Sequence, residues 1–373
     1  MHRGAAIFLD GTEDIIIEHT GVDHAGGNGI CLSNHAWRTS LLNNTIAYAG
    51  DSSIVLVGST KLMNGTLPSY PAYTNITGCL SYENGYYGKQ TAALFKSISY
   101  KTYVKDNVFF NSPRSVVNYN DAFRGGDVLQ GNVIWGAVKE TADHASFNVA
   151  SMHSVDHACI FCTLCVASLV DWRVCMQSWD RQSWFWEEDG ETHFRPDTMT
   201  ISNNLILNKD YQYGSANSDW AIDHDDASSW FEDFENVMVY GGHKWRDGVH
   251  KWYTNNLYVT PADASASQQW GIGWYTPNTK SSRFTNNTMI TYGSQSQFHF
   301  TWSLPLPDAD FVVGSNEYYT PGNDKLPFRV GGQDTVRTLK DWQKLTQNDL
   351  GSVISSDMDL PRIMAKAEEL LRL

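Results

Sequence analysis

The run Ile222-Asp223-His224-Asp225-Asp226 places three carboxylates and an imidazole within four consecutive residues. Carboxylates this close repel one another, and repulsion raises the pKa of one toward that of a working acid. Hydrolysis of a glycoside needs such a split: one protonated carboxyl assists the leaving oxygen while an ionised one serves as base or nucleophile. Further carboxylates stand in Lys139-Glu140-Thr141-Ala142-Asp143-His144 and in Ser178-Trp179-Asp180-Arg181. The preferred assignment pairs Asp180 with Asp223 or Asp226, with Asp143 and Glu140 as second candidates. His144, His224 and Asp225 would orient the carboxylates or bond sugar hydroxyls, and Arg181 would pair with a carboxylate or an anionic substituent. Trp179, Trp184, Trp186, Trp220 and Trp230 flank these motifs, and their flat rings suit sugar faces as well as a core.

Plainer readings compete at each position. The acidic run is also what a solvated turn looks like, or a calcium site of oxygen ligands at Asp223–Asp226; hydrolysis itself requires no cofactor. A polysaccharide lyase or epimerase would need a base and positive charge beside the substrate carboxylate, and Lys and Arg are sparse in sequence around the acidic motifs. A non-catalytic glycan-binding solenoid would keep the aromatics without the paired aspartates.

Composition narrows the partners. Lys+Arg 27 against Asp+Glu 41 gives a net charge of -14, which argues against nucleic acid as a ligand. The 42% hydrophobic content is enough for a folded core. No apolar run is long enough for a membrane span. A monomer acting on a polysaccharide or oligosaccharide is the expectation. No signal peptide opens this chain, and its entry straight into a strand at Ala5 suggests that an N-terminal part is missing.

The elements that must position these residues are short strands carrying an Asn beside a turn. They recur at Ser40–Ile46, Tyr103–Phe110, Asp127–Ile134, Met199–Ile206, Trp252–Tyr258 and Arg283–Ile290. Successive asparagines such as Asn107 and Asn132 lie 25 residues apart, and Asn256 and Asn287 lie 31 apart. A unit of this size cannot bury its own apolar face and must stack on its neighbours. Asn tolerates the left-handed backbone and can bond to the next unit, which predicts asparagines stacked at corners. The expected fold is all-β, a right-handed parallel β-helix of the pectate-lyase type over residues 1–335. Helical spacing over 336–373 predicts a short C-terminal cap covering the last open edge. Sequons at Asn43, Asn64, Asn75 and Asn286 permit glycosylation, but Asn43 and Asn286 belong to the repeat.

Between Val149 and Gln177 the pattern stops. This stretch holds Cys159, Cys162, Cys165 and Cys175, leaving Cys31 and Cys79 for the rest of the chain. Its CxxCxxC spacing resembles metal sites but lacks a clear fourth ligand. Val codons begin GT and one Gln codon is CAG, the usual intron borders, so residues 149–177 read as a retained intron. Left in place, the insertion would separate Asp143 from Asp180 and leave the site malformed.

With that segment set aside, several ordered motifs resemble those of parallel β-helix proteins related to glycoside hydrolase family 141. They are Gly125-Gly126-Asp127-Val128-Leu129-Gln130-Gly131-Asn132, Lys139 through Asn148, Ser178-Trp179-Asp180-Arg181-Gln182, Ile222 through Ser229 and Tyr240-Gly241-Gly242-His243-Lys244. The resemblance implies an enzyme acting on fucosides, xylan or a similar plant or algal cell-wall polysaccharide, and a secreted protein.

Overall fold

The computed structural model describes residues 4–59, 61, 63–120, 125–141, 144–150, 185–188, 191–194, 197–208, 220–225, 228–245, 250–260, 270–272, 281–292, 298–300, 312–320, 328–330, 338–355 and 358–373. Within them the chain is a parallel β-helix. One turn runs through strands Asn28–Trp37, Ser40–Leu42 and Thr45–Ala47, one on each of three faces, and the next begins at Ile54. The third face is an 11-stranded sheet, and the first and second join in an 18-stranded one. Parallel pairing links each turn to the next, and among the described residues antiparallel pairing is confined to two short hairpins, Met63–Asn64 with Leu67–Pro68 and Phe185–Glu188 with Glu191–Phe194.

Side chains alternate across each strand, so every face sends one set inward and one outward. The second face sends in Leu41, Ile76, Val104, Leu129 and Ile201, each paired to the next. The third sends in Ile46, Phe109, Ile134, Ile206 and Met238, all buried. These rows meet in one continuous core, which a single turn could not bury alone.

The corner between the second and third faces carries an asparagine ladder. The Nδ2 of Asn107 donates to Oδ1 of Asn132 at 2.9 Å, and the chain of bonds continues through Asn204, Asn236, Asn256 and Asn287 to Asn316. Each Oδ1 also receives the backbone N–H of the preceding turn, as Asn132 N does on Asn204 at 2.9 Å. Sequence reasoning gave one Asn both jobs, but the structure divides them. The left-handed residue is the one before: Asn203, Glu235, Asn255 and Asn286 have φ of 57°, 57°, 54° and 58°. The first residue turns the chain, and the second, buried in every case, carries the ladder.

Two helices follow. α1 (Leu339–Thr346) is capped by Thr338, whose hydroxyl accepts from Asp341 N, and it drives Trp342, fully buried, into the core. α2 (Leu360–Leu371) is capped by Asp359 and carries Pro361 in its first turn, where a missing N–H costs nothing. The expectation of an end cap is corrected for α2. It lies along the outside of the third face, with Ile363, Leu370 and Met358 against Val237, Leu257 and Ile290. Val353–Ser355, between the helices, adds a strand to the third face beside Glu317–Tyr319, so residues 336–373 belong partly to the solenoid.

Strand Phe147–Ala150 pairs in regular register with Val117–Asn120 and with Trp220–Asp225. The pattern therefore runs two residues into the segment read as an interruption, and Val149 is fully buried. Residues 151–177, with the four clustered cysteines, lie outside the described residues. Cys31 and Cys79 are buried.

Candidate active site

The first face builds the site. Its outward row runs Cys31, Val55, Phe95, then Asn118, Asn148, Asp223 and Lys244, each in register with the next. The row is apolar in the early turns and polar from Asn118 onward, yet it stays buried throughout. Buried polar groups are retained only where bonds satisfy them, and these side chains bond across turns. Asn148 Nδ2 donates to Asn118 Oδ1 at 3.2 Å. Lys244 Nζ reaches Asp223 Oδ2 at 3.0 Å and Asp225 Oδ2 at 3.2 Å.

His144 lies beside this row. Its Nδ1 is 2.8 Å from Asn148 Oδ1, and its Nε2 bonds Arg114. A guanidinium can only donate, so Nε2 is the acceptor, Nδ1 carries the proton and the ring is neutral. Arg114 also bonds Gln90. His144, Asp223 and Asp225 offer ligand atoms within 4.8 Å of one another. Lys244 already supplies compensating charge there, so a cation would compete with it for the carboxylates.

The inner sides of the same strands hold a second cluster. His224 Nε2 lies 2.7 Å and His243 Nε2 2.9 Å from Asp233 Oδ2, and the Tyr258 hydroxyl lies 2.8 Å from His243 Nδ1. All four residues are buried. Burial pushes His224 down to about 4 against the opposing pull of Asp233, so its ring is neutral. Burial pushes Asp233 up, but the two imidazoles outweigh it and hold its carboxyl below the usual range. These three residues also meet the geometric condition for a metal. Buried Lys251 lies close enough for its charge to lower His224 further. A dication there would leave uncompensated positive charge in the core.

Several sequence expectations are thereby revised. Asp223-His224-Asp225 is a strand within Trp220–Asp225, not an exposed turn, and alternation puts its carboxylates outside and its imidazole inside. His224 therefore makes no direct bond to those carboxylates and does not touch a sugar. Lys244 offsets the mutual repulsion of Asp223 and Asp225 expected to create an acid. The sparsity of Lys and Arg held only along the chain: Lys244, 21 residues from Asp223, and Arg114 arrive through stacking. Glu140 is exposed and paired with Lys89 at 2.9 Å, apart from the row. Trp230 is half-buried and stacked on His250 at 4.4 Å, and His250 meets Trp252 in turn. Trp220 is half-buried at the start of its strand. Asp143, Trp179, Asp180, Arg181, Trp184 and Asp226 lie outside the described residues.

Asn118, Asn148, Arg114, Lys244, Asp233 and His243 were not picked out as site residues. Asn148, His243 and Lys244 fall within motifs that carry the family resemblance, whereas Asn118, Arg114 and Asp233 could be found only by register, since their neighbours come from other turns.

No protein-family model matches the chain, and no curated protein matches it. Two solved structures resemble it. An alginate lyase of family PL6 aligns at 9% identity and a TM-score of 0.45, over 95% of this chain and 46% of its own. The catalytic domain of a GH87 α-1,3-glucanase, in complex with nigerose, aligns at 9% identity and a TM-score of 0.26, over 94% of this chain and 49% of its own. The chain thus spans about half the length of each. The parallel β-helix itself rests on the strand pairing of this chain.

Proposed function

We propose that this chain is a carbohydrate-active enzyme that cleaves an acidic polysaccharide by β-elimination on the outer side of the first face. The observation that carries the reading is Lys244, held within 3.2 Å of both Asp223 and Asp225, with the Arg114–His144 pair alongside. Hydrolysis by Asp223 and Asp225 as a pair would need one of them protonated, and an ammonium shared by both favours two carboxylates. Elimination instead needs positive groups for the uronate carboxylate and a base for the neighbouring carbon.

In this scheme Arg114 receives the substrate carboxylate, which acidifies the adjacent C–H. Asp225, kept ionised by the Lys244 ammonium, takes the C5 proton. The released electron pair forms the C4–C5 double bond, the C4–O glycosidic bond breaks, and water protonates the leaving oxygen. Asp223 and Asp225 hold Lys244 in place, and Asn148, itself bonded to Asn118, holds His144. The step needs no cofactor. Calcium would occupy the carboxylates in place of Lys244, so added calcium is expected to slow turnover.

The protein's net charge of -14 repels a polyanion at long range, so turnover should rise with moderate salt. The motifs similar to glycoside hydrolase family 141 support the carbohydrate class and a secreted setting but not the choice of reaction. The test is a panel of uronans, xylan and fucosides, read for both unsaturated uronate and new reducing ends. Unsaturated ends from a uronan, lost in Lys244→Met, support elimination. Reducing ends without unsaturation would overturn it and assign hydrolysis, with Asp223 paired to Asp180 or Asp226.

A further inference from the structure

Asp233 occupies a place where the fold otherwise puts hydrocarbon. Its row on the second face reads Leu41, Ile76, Val104, Leu129, Ile201, Asp233, Tyr253, Phe284 and Val313. A carboxylate buried there is retained only if it is well bonded. Both of its bonds go to one oxygen, from imidazoles on two successive first-face strands.

Those two strands carry the outer site. His224 stands between Asp223 and Asp225, and His243 immediately precedes Lys244. A strand is stiff across its width, so an inward side chain that is pinned also fixes its outward neighbours. The register between these strands needs fixing, because it shifts between Trp220 and Ile222. A slip of one residue would exchange the inner and outer sets. Aromatic contacts pack the clamp: His224 meets Phe231 edge-on at 4.3 Å, and His243 stacks on Tyr253 at 4.1 Å.

We propose that Asp233 is a positioning residue that, by gripping His224 and His243 inside the solenoid, sets the placement of Lys244 against Asp223 and Asp225 outside it. The functional consequence rests on the elimination reading above; the placement does not. A second buried carboxylate provides the control. Asp127 bonds Lys96 and accepts from Thr102 N at 2.7 Å, equally deep in the core. Lys96, however, comes from a single first-face strand, and its outward neighbours are Phe95 and Ser97. A merely structural role would make the two carboxylates interchangeable.

The experiment compares Asp233→Asn with Asp127→Asn in the full chain. Crystal structures of both are the activity-independent readout. The expected result is that Lys244 leaves bonding distance of Asp223 or Asp225 in Asp233→Asn and keeps both in Asp127→Asn. On the uronan that the wild type cleaves, Asp233→Asn should lower kcat by about 10²-fold with KM nearly unchanged, the scale of a 1 Å misplacement. Asp127→Asn should leave kcat within about twofold even where its melting temperature falls. Should Asp233→Asn not fold, His243→Gln retains an N–H for Asp233 and should preserve the Lys244 geometry, whereas His243→Phe should lose it. Unchanged Lys244 geometry in Asp233→Asn or His243→Phe would overturn the proposal. So would equal kcat losses in the two aspartate variants. Absence of uronan cleavage by the wild type would sink the elimination reading alone.

Discussion

The outer sides of the first and third faces are built by the same alternation and differ in what covers them. On the third face the outward rows are apolar: Leu205, Val237 and Leu257 pair in sequence, and α2 lies over them. In earlier turns Tyr82, Phe110 and Trp135 stack at 5.1 and 4.1 Å with planes 6° and 5° apart. Rings stacked along the axis cover one another's faces and offer only edges to solvent, so this ladder is poorly suited to sugar stacking despite its composition. The first face buries Asn118, Asn148, Asp223 and Lys244 instead. Hydrocarbon under a helix is what stability alone would select. Buried charge in the equivalent position is costly, and points to chemistry.

The sharpest way to break this contrast is Lys244→Met. It leaves two carboxylates close together and without their ammonium, and should cost about 3–5 kcal/mol in urea unfolding, with loss of turnover. A variant as stable as wild type would mean the first-face row is ordinary packing. Acid should act on the same turns from inside. An unfolded histidine takes up a proton near 6.5, whereas folded His224 does so only at about 4. Between those values the unfolded state binds more protons, so stability should fall as pH drops from 6.5 to 4, by about 3 kcal/mol, and level off below for this group. Asp233, held below the usual carboxylate range, adds a further loss only at lower pH still. His224→Phe should flatten the upper part of the profile.

On the third face the same tests should move stability alone. Ile363→Ala, which opens a cavity beneath α2, should cost about 2–3 kcal/mol by calorimetry and leave kcat and KM as they were. Trp135→Leu ends the ring stack and should cost about 1 kcal/mol, again without touching turnover. A fall in activity from Trp135→Leu would move the substrate path to the third face and undo the comparison.

How much of this was readable beforehand follows from range. The solenoid was, because each turn repeats its own local signals: Asn43-Asn44, Asn203-Asn204, Asn255-Asn256 and Asn286-Asn287 mark one corner again and again. The helices at 339–346 and 360–371 were too, but α2's seat was not, since Ile363 meets Val237 only through the fold. Asp223 and Asp225 stood out by their spacing. Their division from His224 needed the strand assignment, and a dense acidic run in sequence looks like a turn. Arg114 and Asp233 carry no local sign, and the motif that holds Lys244 gives no sign of its partners; what makes them neighbours of Asp223 and His224 is turn length, which varies from one turn to the next.

The most direct measurement is a crystal structure of the protein with an oligosaccharide of the polymer it cleaves, using a slow variant such as Lys244→Gln. The account predicts a sugar chain along the first face, with a ring carboxylate beside Arg114 and the scissile linkage over Asp223 and residue 244. A chain bound instead along Tyr82, Phe110 and Trp135 would contradict it.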